Sequence, residues 1–155
     1  MENIKYTKGD ATNPIVQGNK IIVHVVNNLG KWGSGFVLAV SRHWPDVRKK
    51  YIDWHSSGKD FKLGEVLFVR VEPNIFIANM VGQNGIRSAS NPTPVRYDAI
   101  ESGLLKVKDF AIANNASVHA PRFGAGLAGG KWKEIEKLIN KCLCENNVPV
   151  TIYDL

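Results

Sequence analysis

Two stretches of this chain have the composition of phosphate cradles. The first reads Asn27-Asn28-Leu29-Gly30-Lys31-Trp32-Gly33-Ser34-Gly35-Phe36, the second Pro121-Arg122-Phe123-Gly124-Ala125-Gly126-Leu127-Ala128-Gly129-Gly130. Glycines permit positive φ and let the backbone approach a ligand closely. Each stretch follows a strand-like run and precedes a helical pattern. The free N–H groups of a helix start, with the positive end of its dipole behind them, then face whatever the loop holds. That is chemistry for an anionic oxygen. Neither stretch is a Walker A sequence, because no Gly-Lys-Ser/Thr follows at the right spacing, and the first does not fit the dinucleotide fingerprint in its proper context. Two flexible turns are the plain alternative.

The groups that can move protons or orient water lie close to the first loop. His24 sits in the apolar run Lys20–Asn27, and an imidazole can act as general base or acid near neutral pH. Strand alternation places it on the face of Ile22 and Val26, a core-like setting. It also stands four residues before Asn28, about 13 Å of extended chain. A hydrogen-bonded structural histidine is therefore the competing reading. Asn27, at the strand end, is placed to touch a ligand, and Asn28 to orient a water; either side chain can equally brace the turn. His119, just before the second loop, is a second imidazole candidate, whereas His43 and His55 fall on helices and are expected at the surface. The polar segment Gly82–Pro94 has no periodicity of its own, as binding lids often do not. In it, Gln83, Asn84 and Arg87 can reach a terminal phosphate, for which arginine offers a bidentate fork; an ordinary solvent loop is the alternative.

Nothing in the spacing calls for a metal or another cofactor. The two cysteines, Cys142 and Cys144, lie two apart in one helical pattern, where side chains do not face each other. No second Cys/His pair completes a zinc set. Idle thiols suit a reducing cytoplasm, and the N-terminus lacks the apolar core of a secretory signal.

The elements that must position these groups alternate along the chain. Ile4–Thr7, Lys20–Asn27, Glu65–Val71, Ile75–Asn79, Val118–Ala120 and Val150–Tyr153 read as strands. Ser34–Arg42 reads as a helix, and a second has Pro45 in its first turn and ends at Ser57. Tyr97, Ile100, Leu104, Val107 and Ala111 form one apolar stripe, and Trp132, Ile135, Leu138, Ile139 and Cys142 another. Six strands and four helices argue for an α/β fold with three layers, which binds ligands beyond the carboxyl ends of its strands. With 155 residues, 44% apolar and 22% charged, the chain is expected to form one domain over residues 1–155. No apolar run approaches a membrane span. The net charge of +6 favours anionic ligands. The basic residues form no dense run, so nucleic acid is not the expected partner.

At these residues the chain resembles the macrodomain family, and the resemblance covers nearly all of it. Lys8-Gly9-Asp10 looks like the family's Gly-Asp opening, His24–Asn27 with Gly30–Gly35 like its first phosphate loop, and Pro121–Leu127 like its second. Trp32-Gly-Ser-Gly35 and Lys131-Trp132 are most similar to the yeast-type ADP-ribose 1″-phosphate phosphatase branch. The ending Thr151–Leu155 is shared with the terminal ADP-ribose glycohydrolase branch. The resemblance implies a mixed, largely parallel six-stranded sheet between helices, with ADP-ribose or ADP-ribose 1″-phosphate lying across the strand ends. It implies adenine beside Asp10 and Tyr153, with Ala11 among the ligand contacts, although a turn residue and a core tyrosine are the structural alternatives for Asp10 and Tyr153. Gly33, Ser34, Gly35 and Phe36 would meet the phosphates and distal ribose, with Gly124, Ala125, Gly126 and Leu127 opposite and Gln83, Arg87 and Arg122 as further contacts. His24 matches a histidine proposed as catalytic in the phosphatase branch, and Asn27 and Asn28 complete the catalytic candidates. The glycohydrolase branch attacks with a lysine and an aspartate; those positions fall near Gly82-Gln83 and at Ala128, so that covalent route is not expected. The implied activity is hydrolysis of ADP-ribose 1″-phosphate or an ADP-ribosyl ester, with a non-catalytic reader of ADP-ribosylated macromolecules as the alternative.

Overall fold

Apolar residues in the central strands are sorted by parity. Ile21 and Val23 pack with Ala78, Met80, Leu104 and Ile139 on one side, while Ile22 and Val26 pack with Ile77, Val81, Val40 and Tyr51 on the other. A strand that is apolar on both faces must be covered on both, and helices supply the cover. The computed structural model describes residues 3–126 and 128–155. Leu127, one of the expected diphosphate contacts, lies outside the described residues.

The elements run β1 (Lys5–Lys8), β2 (Asn19–Asn27), α1 (Phe36–His43), α2 (Asp46–Ser57), β3 (Val66–Glu72), β4 (Ile75–Gln83), α3 (Tyr97–Ala113), β5 (Ala116–Ala120), α4 (Trp132–Cys142) and β6 (Val150–Asp154). A short 3-10 turn, Cys144–Asn146, follows α4. The sheet order is β1-β6-β5-β2-β4-β3. Every neighbouring pair is parallel except β3 and β4, the hairpin turned by Glu72-Pro73-Asn74. This is the mixed, largely parallel six-stranded sheet between helices that the sequence implies.

The differences from the sequence reading are local and informative. β4 continues through Met80, Val81 and Gly82 to Gln83, four residues beyond the expected strand. Gly82 stays in the strand because it lies between β2 and α3: a Cβ there would meet Ile100 Cδ1 at 2.6 Å and Val25 Cγ1 at 3.1 Å. α1 begins at Phe36 rather than Ser34, which leaves Ser34 and Gly35 to the loop. Pro45 stands just before the first helical residue of α2, and Gly58 closes that helix in the left-handed region with φ 67°.

Candidate functional site

β2 and β5 are adjacent and parallel, with Ile22 opposite His119. Their carboxyl ends therefore leave the sheet on the same edge, and the two glycine-rich loops, distant in sequence, emerge side by side. Between them lies a cleft of about 540 Å³. Loop one lines it with Asn27 and with Trp32, Gly33, Ser34, Gly35, Phe36 and Val37. Loop two contributes Pro121–Gly124, Gly126 and Ala128, and the end of β4 adds Gln83, Ile86 and Arg87. Among the described lining residues there is no carboxylate, while two arginines and one histidine are present. With Arg122 paired to Asp154, Arg87 is the lining charge that favours an anion.

Loop one is a helix start held by a polar brace. Gly35 precedes α1, and no side chain among the described residues caps that N-terminus, so its first N–H groups are open to a ligand. The Asn27 carboxamide oxygen accepts from Leu29 N at 3.0 Å, Lys31 N at 3.2 Å and the Tyr51 hydroxyl at 3.0 Å, and its amide nitrogen donates to the Lys31 carbonyl at 2.7 Å. Tyr51, fully buried on α2, also donates to the Asn27 carbonyl at 2.7 Å. Burial pushes the Tyr51 hydroxyl up to about 12, so it stays a protonated donor. Trp32 is pinned by Nε1 donating to Ser41 Oγ at 2.7 Å. Gly30, at φ +75°, lies against the exposed His55 ring, and any Cβ there would run into it.

These bonds change the reading of the catalytic candidates. Asn27 borders the cleft, but its carboxamide is committed to shaping the loop. Asn28 does not line the cleft: its Oδ1 accepts from Gly85 N at 2.8 Å and its Nδ2 donates to Asn84 Oδ1 at 3.1 Å, tying loop one to the Gly82–Pro94 segment. The two bracing alternatives are therefore the ones the geometry displays. His24 is buried at 1% exposure yet forms part of the cleft wall, because loop one folds back over β2 and brings Trp32 and Phe36 to within 5.7 and 5.8 Å of its ring centroid. Burial drives its pKa down to about 4, against a smaller upward pull from its bond to Asn79. At neutral pH the ring is therefore uncharged and does not serve as an imidazolium acid.

Loop two is built differently. α4 starts only at Trp132, and the preceding Lys131 N–H is bonded to the Tyr97 hydroxyl at 2.9 Å. Its N-terminus does not open on the cleft, contrary to the expectation of two equivalent helix starts. The loop closes on itself instead: Gly130 N donates to Gly124 O at 2.8 Å and Gly129 N to Gly126 O at 3.1 Å. Val95 N, on the neighbouring segment, donates to Ala128 O at 3.1 Å. Glycine is needed for closeness. A Cβ on Gly129, at φ +77°, would stand 2.7 Å from the Pro92 carbonyl oxygen, and one on Gly124, at φ +78°, 2.7 Å from Ile135 Cδ1.

Arg122 borders the cleft, but its guanidinium is bidentate on Asp154, at 2.7 and 3.0 Å, and lies 5.0 Å from the Tyr6 ring centroid and 5.3 Å from that of Trp132. Its side chain anchors the start of loop two to β6 instead of reaching inward. Ala125 is outside the cleft lining. Arg87 is exposed, with no carboxylate partner among the described residues. Asp10 and Ala11 follow β1 and Tyr153 stands near the end of β6, on the same edge of the sheet as the loops, and none of the three is among the cleft's lining residues. Asp10 Oδ1 accepts from Thr12 N at 2.8 Å and Oγ1 at 2.6 Å, and the hydroxyl bond holds its carboxyl below the usual range. The Tyr153 hydroxyl is bonded to His119 Nδ1 at 2.8 Å. Trp32 and Phe123 stand in the two loops read from the sequence, whereas Ile86 in the lining, and Tyr51 and Asn79 behind it, carry no signal there. Only long-range pairing reveals them.

No family model matches the sequence. A solved macrodomain protein from Streptomyces coelicolor is 50% identical and superposes with a TM-score of 0.89, with 99% of each chain covered. The chromodomain-helicase-DNA-binding protein 1-like of Danio rerio is 32% identical across 97% of this chain, which spans only 15% of that protein's length. The ADP-ribose 1″-phosphate phosphatase of Saccharomyces cerevisiae is 22% identical over the full length of both chains. The chain belongs to the macrodomain family.

Proposed function

We propose that the cleft binds ADP-ribose, with its diphosphate between loop one and loop two, and that the protein hydrolyses a substituent on the distal ribose. The observation that carries the binding is the convergence of the two glycine loops on one cleft, with no carboxylate among its described lining residues and the N-terminus of α1, uncapped by any described side chain, opening into it. The strand ends from β1 to β4 span four inter-strand steps, about 19 Å. That accommodates a base at Asp10 and Tyr153, a diphosphate over β5 and β2, and a sugar toward Gln83 and Arg87. ADP-ribose 1″-phosphate is the first substrate to test, because a phosphatase for it matches this chain end to end. Arg87 is the group available to hold its terminal phosphate.

A second reading, a non-catalytic reader of ADP-ribosylated macromolecules in the cytoplasm, is favoured by one specific observation: Asn27 and Asn28 spend their side chains on the loops. Phosphate release from ADP-ribose 1″-phosphate separates the two. Release that falls at least tenfold in Arg87→Ala supports the hydrolase. Tight ADP-ribose binding with release no faster than in buffer leaves the reader.

A further inference from the structure

Asn79 fixes the tautomer of His24. Its amide nitrogen donates to the Leu67 carbonyl on β3 at 3.0 Å, so Oδ1 is the atom that faces His24 Nε2, at 2.6 Å. An amide oxygen only accepts. Nε2 therefore carries the hydrogen, and Nδ1 keeps a bare lone pair. Among the described residues, Nδ1 is the buried side-chain nitrogen or oxygen that has no hydrogen-bond partner. Buried polar atoms are almost always paired, and one that is not points to something that completes it. The ring is part of the cleft wall, edge-on to Trp32 and tilted against Phe36, both of which line the same cleft.

We propose that His24 Nδ1 is a specificity-determining acceptor that takes an O–H from the distal ribose of the bound ligand. The inference rests on the ADP-ribose reading and names what that end of the cleft selects. A neutral ring with its only hydrogen committed to Asn79 cannot donate to a phosphate oxygen, and its lone pair repels one in a low-dielectric setting. The position therefore accepts a sugar hydroxyl and rejects an anionic group. A phosphate on C1″ has to lie away from His24, toward the exposed Arg87 guanidinium. Phe36, half-buried at the start of α1, stands between the glycines of loop one and the His24 ring. His24 thus sets the orientation of the sugar and transfers no proton.

The test pairs a ligand series with a substitution. ADP-ribose and its 2″-deoxy and 3″-deoxy analogues are titrated against the native protein and His24→Gln, whose amide can still reach Asn79 but offers no acceptor at the Nδ1 position. One deoxy analogue should bind the native protein about tenfold more weakly or worse, and that loss should vanish in the variant. Nitrogen-15 NMR of the native protein gives a reading independent of the variant's folding. His24 Nδ1 should resonate as an unprotonated nitrogen when free and shift as a hydrogen-bond acceptor when ADP-ribose is bound. A proton on Nδ1 in the free protein would overturn the proposal. So would two deoxy analogues that bind as tightly as ADP-ribose, or an Nδ1 signal unmoved at saturation. A native protein that binds no ADP-ribose sinks the proposed function itself, a separate outcome.

Discussion

Loop one and loop two present the same glycine-rich composition to one cleft, yet they are held by different physics. Loop one is shaped by buried polar side chains: Asn27 binds three residues, Leu29, Lys31 and Tyr51, the last donating from α2. Loop two is shaped by the absence of side chains, which lets its backbone close on itself and press against Pro92–Val95. The strands beneath them differ in parallel fashion. His119, leading into loop two, uses both ring nitrogens, on Ser117 Oγ and the Tyr153 hydroxyl, each at 2.8 Å. His24, beneath loop one, uses one. Similar sequence composition thus produces a rigid cradle wall on one side and, on the other, a wall with an unsatisfied acceptor set into it. The proposed contact with the distal ribose therefore falls on the loop-one side.

The largest expected effect concerns the two histidines together. Burial lowers both to about 4, from 6.5. In the unfolded chain each takes up a proton near 6.5, so between pH 6.5 and 4 the unfolded state binds more protons than the folded state. Their contribution is complete above about pH 6.5 and is lost as pH falls toward 4, by about 3 kcal/mol for each histidine. Urea unfolding followed across this window should show a falling midpoint, and His24→Gln should remove about half of the slope. A midpoint that stays flat down to pH 4.5 would break the pairing of the two sites.

Gly129→Ala comes next. Positive φ and a 2.7 Å approach to the Pro92 oxygen combine there, and a cost of about 3 kcal/mol in stability is expected. Asn27→Ala leaves the Leu29 and Lys31 N–H groups without their acceptor and the Lys31 carbonyl without its donor, while Tyr51 keeps the Asn27 backbone carbonyl, for about 2 kcal/mol. Its effect on ADP-ribose affinity, read by calorimetry, should exceed that of Asn28→Ala, because Asn28 braces a segment outside the first loop. The smallest effect is expected at Arg122. Its side chain is 42% exposed and that of Asp154 40%, so Arg122→Ala should cost less than about 1 kcal/mol. A larger loss would mean that the ring stack with Tyr6 and Trp132 contributes more than the ion pair.

Local pattern in the sequence already shows most of the fold. The double-sided apolar run of β2, the Glu72-Pro73-Asn74 turn and the apolar stripes of α3 and α4 each announce an element by periodicity. The end of β4 is hidden because Gly82-Gln83 carries no apolar signal; its place in the strand is set by Val25 and Ile100, neighbours distant in sequence. For the site, glycine spacing discloses the loops but not what holds them. Tyr51 reads as one more helical aromatic until α2 is placed over β2. Arg122 looks like a phosphate ligand until β6 brings Asp154 beside it. Asn79 shows no role until it stands opposite His24 in the β2–β4 register. A periodic pattern tells which face a residue occupies, not which residue it meets.

The central claim is that the diphosphate of ADP-ribose lies between the two loops. Gly126 lines the cleft, and a Cβ on it would meet no heavy atom within 4 Å. Gly126→Glu therefore introduces a carboxylate at the diphosphate position with little strain on the fold. Calorimetric titration of ADP-ribose into the native protein and this variant tests the claim directly. Saturable one-to-one binding by the native protein, abolished in a variant with unchanged melting temperature, is the predicted result. Equal binding by the two proteins, or none by the native one, would contradict it.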